Sequence, residues 1–346
     1  MSSMWQRHIS QHRHLRERVR KCHEEVTVQG GLLVAACVLA LVYGANAGAT
    51  LAATSLRVHG GRPWLALAVL GCAIGIAPVV LGTAVASTVA HELVPSSGDP
   101  VADRVVFLAG VVAALVVTGA LGRWGQPTSL TLALVAGLAG GGLGAGQDVG
   151  WSAITRVLAL VAVAPFAGML LAAAVHRLSA TWRVSPRGVR RWHVASYGAL
   201  CLAFGSNDAQ KLLAVVAVAS APAAGDVRPV AWQLALCAVL FTLGAAIGLG
   251  RMERTVNRGI LAVRGLDAVT TQTTAAVVML ASSGAGSPVG MAQTLSGSLV
   301  GAGLARGRGK VRWEYAGWVA LAWVLTVPAS VVVASCVAWG VGRAVG

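Results

Sequence analysis

The chain has 346 residues, of which 56% are hydrophobic and only 11% are charged, whereas soluble domains usually carry about 25% charged residues. This composition excludes an ordinary soluble globular protein. It predicts an all-α polytopic membrane protein, because long apolar stretches recur from residue 30 onwards and a helix needs roughly 20 residues to cross a bilayer. The formal net charge of +15 falls in the connecting segments, as the positive-inside rule requires, so it does not indicate binding to nucleic acid.

The chain divides into two long apolar regions of similar plan. A basic tail rich in Arg and His covers residues 1–29 and is predicted to lie on the membrane surface. The first transmembrane repeat, residues 30–176, contains apolar or amphipathic segments near 30–54, 64–83, 84–103, 104–122, 130–146 and 152–176. A basic central loop at 177–192 leads into the second transmembrane repeat, residues 193–346, with segments near 193–218, 229–250, 251–264, 265–283, 288–304 and 314–341.

The basic loops suggest an orientation for part of the chain. The segments 177–192, 251–264 and 305–312 are the most basic and are predicted to lie in the cytoplasm. An odd number of crossings in each repeat would place the N-terminal tail on the opposite side from the central loop, so the side of the tail stays open.

A short motif occurs twice at an offset of 161 residues. The first copy is YGANAGAT at 43–50, and the second is FGSNDAQK at 204–211. Pro127 and Pro288 share this offset, which indicates a duplicated chain with interruptions at matched depths. Such matched interruptions, here beginning at Gly44 and Gly205, point to the binding site of a transporter with inverted-topology repeats. Broken helices and re-entrant hairpins are therefore predicted, since bare backbone in a membrane must line a cavity.

The second copy carries the charged candidates. Asp208 lies inside an apolar segment, where an ionisable side chain is by default functional, and Lys211 is its predicted partner on the same helix face. The alternative is a structural pair that holds a helix interruption together. Asn46 and Asn207 correspond in the repeat and could place side-chain oxygens around a cation such as Na⁺, or could simply cap helices and bond neighbouring ones.

Hydroxyl and amide side chains follow each of the two prolines. Pro favours the first turn of a helix, and free N–H groups at a helix start suit an anion of the size of phosphate. Ordinary N-capping and core hydrogen bonding are the alternatives. The candidate phosphate-binding residues are Thr128, Ser129, Thr131, Gln210, Gln293 and Thr294.

These motifs resemble those of the PiT-type inorganic phosphate transporters, which carry two GANDxxN-like motifs, each followed later by a PVSTTH-like motif. The stretch Phe204–Lys211 is similar to the second signature of that family. Ala322–Ala329 resembles its closing helix, and Ala164–Gly168 resembles its segment before the central loop. The resemblance covers about residues 30–341 and marks the chain as a divergent member.

The resemblance implies symport of inorganic phosphate with Na⁺ or H⁺ by alternating access, with no other cofactor. The high content of Arg, Ala and Gly favours a bacterial source, and this predicts a location in the plasma membrane. The resemblance also implies a homodimer, a coupling ion at Asn46, Asn207 and Asp208, and phosphate at the Pro127 and Pro288 helix starts. No metal is expected beyond Na⁺. The sequence has no nucleophile at a suitable spacing from a general base, so it does not predict an enzyme. Transport of sulfate and a transport-inactive regulatory role stay open as alternatives.

Several positions depart from the family pattern and motivate these alternatives. The first signature has Ala in place of Asp and Thr in place of the later Asn. The second proline motif lacks its hydroxyl residues, and the first has Leu in place of His. These positions are Ala47, Thr50, Gly290, Met291, Ala292 and Leu132. Loss of one carboxylate is expected to weaken one cation site, since the charge of the ligands sets affinity.

Overall fold

The computed structural model describes residues 2–59, 62–123, 128–181, 185–220, 227–256 and 265–345. Within these ranges the chain is almost entirely helical and contains no strand. The helices are α1 Ser2–Tyr43, α2 Ala49–His59, α3 Pro63–Leu81, α4 Ala84–Ser87, α5 Pro100–Arg123, α6 Leu130–Ala145, α7 Trp151–Ala180, α8 Pro186–Ser220, α9 Ala231–Val256, α10 Gly265–Gly284, α11 Met291–Arg306 and α12 Trp313–Val345.

Six helical segments of the described chain are long and apolar enough to cross a membrane. They are Arg18–Ser55, Pro63–Leu81, Pro100–Arg123, Trp151–Ser179, Ala231–Gly250 and Trp313–Arg343. Large apolar side chains on them are exposed, including Val80 and Ile247, because their solvent is hydrocarbon and not water. The predicted all-α polytopic membrane protein is confirmed.

Two segments outside the predicted spans are more helical than expected. The N-terminal tail and the first apolar segment form one continuous helix, α1. The predicted basic loop at 177–192 is mostly helical, since α7 runs to Ala180 and α8 begins at Pro186.

The two copies of the repeated motif have different backbone structures. In the first copy the helix continues through a π-helical turn, Gly44–Gly48, into α2; such turns occur often at functional sites. The predicted interruption in the second copy is wrong, because α8 passes through it without a break. Gly205 serves close packing there: a Cβ at this position would lie 2.5 Å from the backbone oxygen of Ala73 in α3.

The interruption in the second half lies between α10 and α11. After α10 the chain turns at Gly286, whose φ of +64° favours glycine because side chains with a Cβ are crowded there. The segment Ser287–Gly290 is then non-helical and fully buried. Pro127, at the corresponding place in the sequence between α5 and α6, lies outside the described residues.

Helices of each half pack against helices of the other half. Helix α6 of the first half packs on α12 of the second, and α11 of the second packs on α7 of the first. A Cβ on Gly140 would lie 2.3 Å from the oxygen of Val331, and one on Gly301 would lie 2.1 Å from the oxygen of Met169. Likewise α3 packs on α8, while α9 packs on the π-helical turn. This packing between the halves fits two related repeats; their inverted topology stays a prediction.

Candidate functional site

An ion pair is buried in the middle of α8. The ammonium Nζ of Lys211 lies 2.6 Å from Oδ1 of Asp208, and the two residues are 1% and 0% exposed. They are three positions apart, which places both side chains on one helix face. The predicted pairing is therefore confirmed, and burial of both charges makes each dependent on the other.

Lys211 also bonds to two segments outside its own helix. Its ammonium donates to Oγ1 of Thr131 at 2.7 Å and to the backbone oxygen of Val289 at 2.9 Å. Thr131 lies in the first turn of α6, and Val289 lies in the buried segment before α11. One side chain thus joins α8 to the two helix starts that the sequence singled out.

Asp208 is bound from both halves of the chain. Its Oδ1 accepts from the hydroxyls of Tyr43, at the end of α1, and of Thr131 at 3.2 Å. Its Oδ2 accepts from the backbone N–H of Met291 at 2.9 Å. Because Met291 is the first residue of α11, the carboxylate faces the positive end of that helix.

Asn207 holds the segment between α10 and α11 in place. Its Nδ2 donates to Oγ of Ser283 and to the backbone oxygen of Ser287, both at 3.1 Å. Its Oδ1 accepts from the N–H of Val289 at 2.9 Å. The side chain thus satisfies backbone groups that no helix serves, and its oxygen is already engaged.

The start of α6 combines a cap with the buried network. The Oγ of Ser129 accepts from the N–H of Leu132 at 3.2 Å, so Ser129 is the N-cap of α6. This is the ordinary capping role that stood as the alternative for it. Thr128 precedes the cap and is half-buried, whereas Thr131 is buried and bonded to the ion pair.

Buried polar atoms without partners lie beside the start of α11. Both amide atoms of Gln293 and the Oγ of Ser287 are buried and unpaired among the described residues. A Cβ placed on Gly290 would lie 2.0 Å from Oε1 of Gln293 and 3.1 Å from Oγ1 of Thr131. Since buried polar groups normally have partners, these atoms are suited to contact a ligand. Thr294 is satisfied locally, because its hydroxyl donates to the Gly290 oxygen at 3.1 Å.

Two predicted ligands are not brought to this network. The Oε1 of Gln210 accepts from the N–H of Ala86 at 2.9 Å, and its Nε2 donates to the oxygen of Gly82 at 2.7 Å. The amide therefore fixes the turn between α3 and α4. Asn46 is exposed, and its backbone oxygen accepts from Thr50 at 2.6 Å. The expected meeting of Asn46 with Asn207 is not seen.

The two motif copies nevertheless lie against each other. The rings of Tyr43 and Phe204, which correspond in the repeat, have centroids 5.9 Å apart and meet edge to face. Phe241 of α9 completes this aromatic group, 5.8 Å and 5.1 Å from the same two rings. The sequence analysis did not predict the hydrogen bond from the Tyr43 hydroxyl to Asp208. The position of Tyr43 directly before Gly44 in the repeated motif could have indicated that it lies near the site.

The assembled site consists of a buried ion pair, two helix starts and unpaired amide and hydroxyl groups. The sequence profile of the Phosphate transporter family matches residues 43–193 and 183–334, which include every one of these elements. The chain belongs to the phosphate transporter family. It is therefore a plasma-membrane protein and not an enzyme, as the sequence predicted.

Individual relatives carry related names. A probable low-affinity inorganic phosphate transporter of Mycobacterium leprae is 31% identical over 277 residues, covering 75% of this chain and 65% of the relative. A protein of the same name from Mycobacterium bovis is 30% identical, covering 80% of this chain and 68% of the relative. The chain thus spans about two thirds of these mycobacterial proteins. One from Rhizobium meliloti is 27% identical, with 88% and 94% covered.

A solved structure supports the fold. The sodium-dependent phosphate transporter superposes with a TM-score of 0.81 over 91% of this chain and 98% of that one, at 18% identity. At this identity the likeness establishes the architecture alone.

Proposed function

We propose that the chain moves inorganic phosphate across the plasma membrane by alternating access, coupled to a gradient of Na⁺ or H⁺. The observation that carries this proposal is the meeting of the α6 and α11 starts at the buried Asp208–Lys211 pair, beside unpaired Gln293. Helix starts attract anions through free N–H groups and the helix dipole. The names of the relatives supply phosphate as the anion.

The polar groups suit a tetrahedral oxyanion. Phosphate needs several hydrogen-bond donors, and the Gln293 amide and the Ser287 hydroxyl provide unpaired ones from within one buried region. Hydrogen bonds to an anion are stronger in a dry site than in water. Thr131 adjoins both the ammonium and Gly290, so it links the charge pair to the amide.

Alternating access would open this sealed site to one side at a time. Asp208, Lys211 and Gln293 are each at most 1% exposed, so phosphate could reach them only if the surrounding helices moved. Helix α6 packs on α12, and α11 packs on α7. A rocking of the first pair of helices against the second would separate the start of α6 from the start of α11. Breaking the bonds of Lys211 to Thr131 and Val289 would accompany that separation.

A transport-inactive paralogue is the second candidate, and the missing hydroxyls at 290–292 favour it. Gly290, however, leaves space that the amide of Gln293 fills. A serine at 290 would require that amide to move away, so the side chains of positions 290 and 293 compete for one space. We therefore infer that Gln293 replaces the lost hydroxyls as a phosphate contact.

The test is uptake by purified protein in liposomes. We expect labelled phosphate to accumulate above the level of protein-free liposomes, and unlabelled phosphate to compete better than sulfate. Better competition by sulfate would make the chain a sulfate transporter. Folded protein that takes up neither anion would favour the inactive paralogue.

The proposed homodimer has its own test. Chemical crosslinking of the protein in native membranes should trap a species of twice the chain mass. A monomer under these conditions would contradict the dimer without affecting the transport proposal.

A further inference from the structure

The Lys211 ammonium occupies a cage of oxygen atoms. Its ligands are a carboxylate oxygen of Asp208 at 2.6 Å, the hydroxyl of Thr131 at 2.7 Å and the carbonyl of Val289 at 2.9 Å. An ammonium has three donors and no acceptor, so each donor has one oxygen. Carboxylate, hydroxyl and carbonyl oxygens are also the ligands that hard metal cations select.

We propose that Lys211 is a tethered cation that takes the place of a coupling Na⁺ at Asp208, so that transport by this chain is independent of Na⁺. This inference rests on the proposed phosphate transport and narrows its coupling ion. It replaces the expectation that Asp208 binds Na⁺ directly.

The carboxylate of Asp208 already binds four donors and lies against a buried cation. Its Oδ1 accepts from the Tyr43 hydroxyl, the Thr131 hydroxyl and the Lys211 ammonium, and its Oδ2 accepts from the Met291 N–H. A Na⁺ at Oδ1 would have to displace one of the three donors there. A Na⁺ at the remaining position of Oδ2 would lie close to the buried Lys211 ammonium, which repels it.

The other buried carboxylate is neutralised in the same way. In the described part of the chain, Asp208 and Asp267 are the buried acidic residues, and Arg306 lies 2.6 Å from Asp267. In the first repeat the position that corresponds to Asp208 is Ala47, which offers no charge. Neither carboxylate therefore carries the excess negative charge that would draw a metal cation into the bilayer.

Uptake in two salts tests the proposal. Full-length protein in liposomes is assayed for phosphate uptake in a Na⁺ gradient and in a K⁺ gradient of equal ionic strength. For the wild type we expect the two rates to agree within about twofold. Lys211→Asn leaves the Asp208 carboxylate and its oxygen neighbours free for Na⁺, and its uptake should become faster in Na⁺ by about tenfold, within the usual range of coupling between two ligands.

Thermal unfolding supplies a measurement that does not need transport. A cation that binds only the folded protein raises the midpoint of unfolding. Na⁺ in place of K⁺ should raise the midpoint of Lys211→Asn by several degrees and leave the wild type unchanged. The matched control is the double variant Asp208→Asn, Lys211→Met, which carries neither charge, leaves no unpaired charge buried and should not respond to Na⁺.

The outcomes separate the two proposals. Wild-type uptake or stability that depends specifically on Na⁺ would overturn the tethered cation, as would a folded Lys211→Asn protein that ignores Na⁺ in both assays. If Lys211→Asn does not fold, Lys211→Gln, which keeps more of the side-chain volume, enters the same assays. Failure of the wild type to take up phosphate in either salt would refute the proposed function, while the unfolding assay would still decide the cation question.

Discussion

The two copies of the repeated motif pack in a similar way but differ in their polar and charged side chains. In the first, the helix passes through a π-helical turn, Asn46 is exposed and no charge is present. In the second, α8 is regular and Asp208 and Lys211 are fully buried. Yet the glycine of each copy makes the same kind of contact, since Gly44 and Gly205 both meet backbone of the opposite half.

This difference separates two roles that one motif can carry. The glycines determine how closely the helices of the two halves approach each other, and this close approach occurs at both copies. The charges need be present only once, because the ion pair at Asp208 already gathers groups from α1, α6 and α11. Both copies therefore share the close glycine contact, and only the second carries the charges.

The largest expected effect comes from removing the charge that distinguishes the second copy. Asp208→Asn leaves the Lys211 ammonium buried without its counter-charge, at a cost of about 3–5 kcal/mol. We expect phosphate uptake in liposomes to fall to the protein-free level. The control is Asp148→Asn, the same change at an exposed position, which should leave uptake unchanged. Wild-type uptake by Asp208→Asn would remove Asp208 from the mechanism.

A smaller effect should be common to both copies. A Cβ at Gly44 would lie 2.0 Å from the oxygen of Phe241, and one at Gly205 would lie 2.5 Å from the oxygen of Ala73. Gly44→Ala and Gly205→Ala should each destabilise the protein by about 1–3 kcal/mol, as overpacking does. The measurement is the thermal midpoint in detergent.

Gly198→Ala in α8 is the matched control, since nothing lies within 4 Å of a Cβ there. It should leave the midpoint unchanged or slightly raised, because alanine favours helix over glycine. Equal midpoints for all three variants would show that the close approach of the halves is not needed.

Substitution of two glutamines should distinguish a residue that contacts phosphate from a residue that stabilises the fold. Gln293→Ala removes an amide whose atoms are both unpaired, so stability should be kept while the half-saturating phosphate concentration rises by about tenfold, or roughly 1.4 kcal/mol. Gln210→Ala loses two bonds to the turn between α3 and α4 and should lower stability by about 1–3 kcal/mol. The reverse assignment of the two effects would contradict the proposed phosphate contacts.

The smallest effect is expected at Asn46, which the sequence of the first copy predicted to bind the coupling ion. Asn46→Ala removes an exposed side chain and should change stability by less than about 0.5 kcal/mol and leave the uptake rate at the wild-type value. A loss of uptake as large as that of Asp208→Asn would restore Asn46 as a residue of the transport site.

The sequence predicted the components of the site better than their connections. The common offset of 161 residues located both helix starts, and helical spacing paired Asp208 with Lys211. It did not reveal that α8 is unbroken, because a glycine that ends a helix and a glycine that admits a neighbouring backbone are the same letter. Gly205 is of the second kind.

Contacts made by the backbone were beyond the reach of sequence. The oxygen of Val289 and the N–H of Met291 complete the site, and every residue except proline has both groups. The exposure of Asn46 could not be foreseen either, because Asn46 lies within the π-helical turn, and the sequence pattern does not reveal that the helix widens there. Only the assembled helices show which face of each motif is enclosed.

The packing between the halves also constrains how the protein is made. Gly140 and Gly144 of α6 rest on Val331 and Ser335 of α12, nearly two hundred positions later in the chain. While the ribosome is still synthesising the second half, this glycine face has only lipid to contact. The contact between α6 and α12 can therefore form only after the last helix has been inserted.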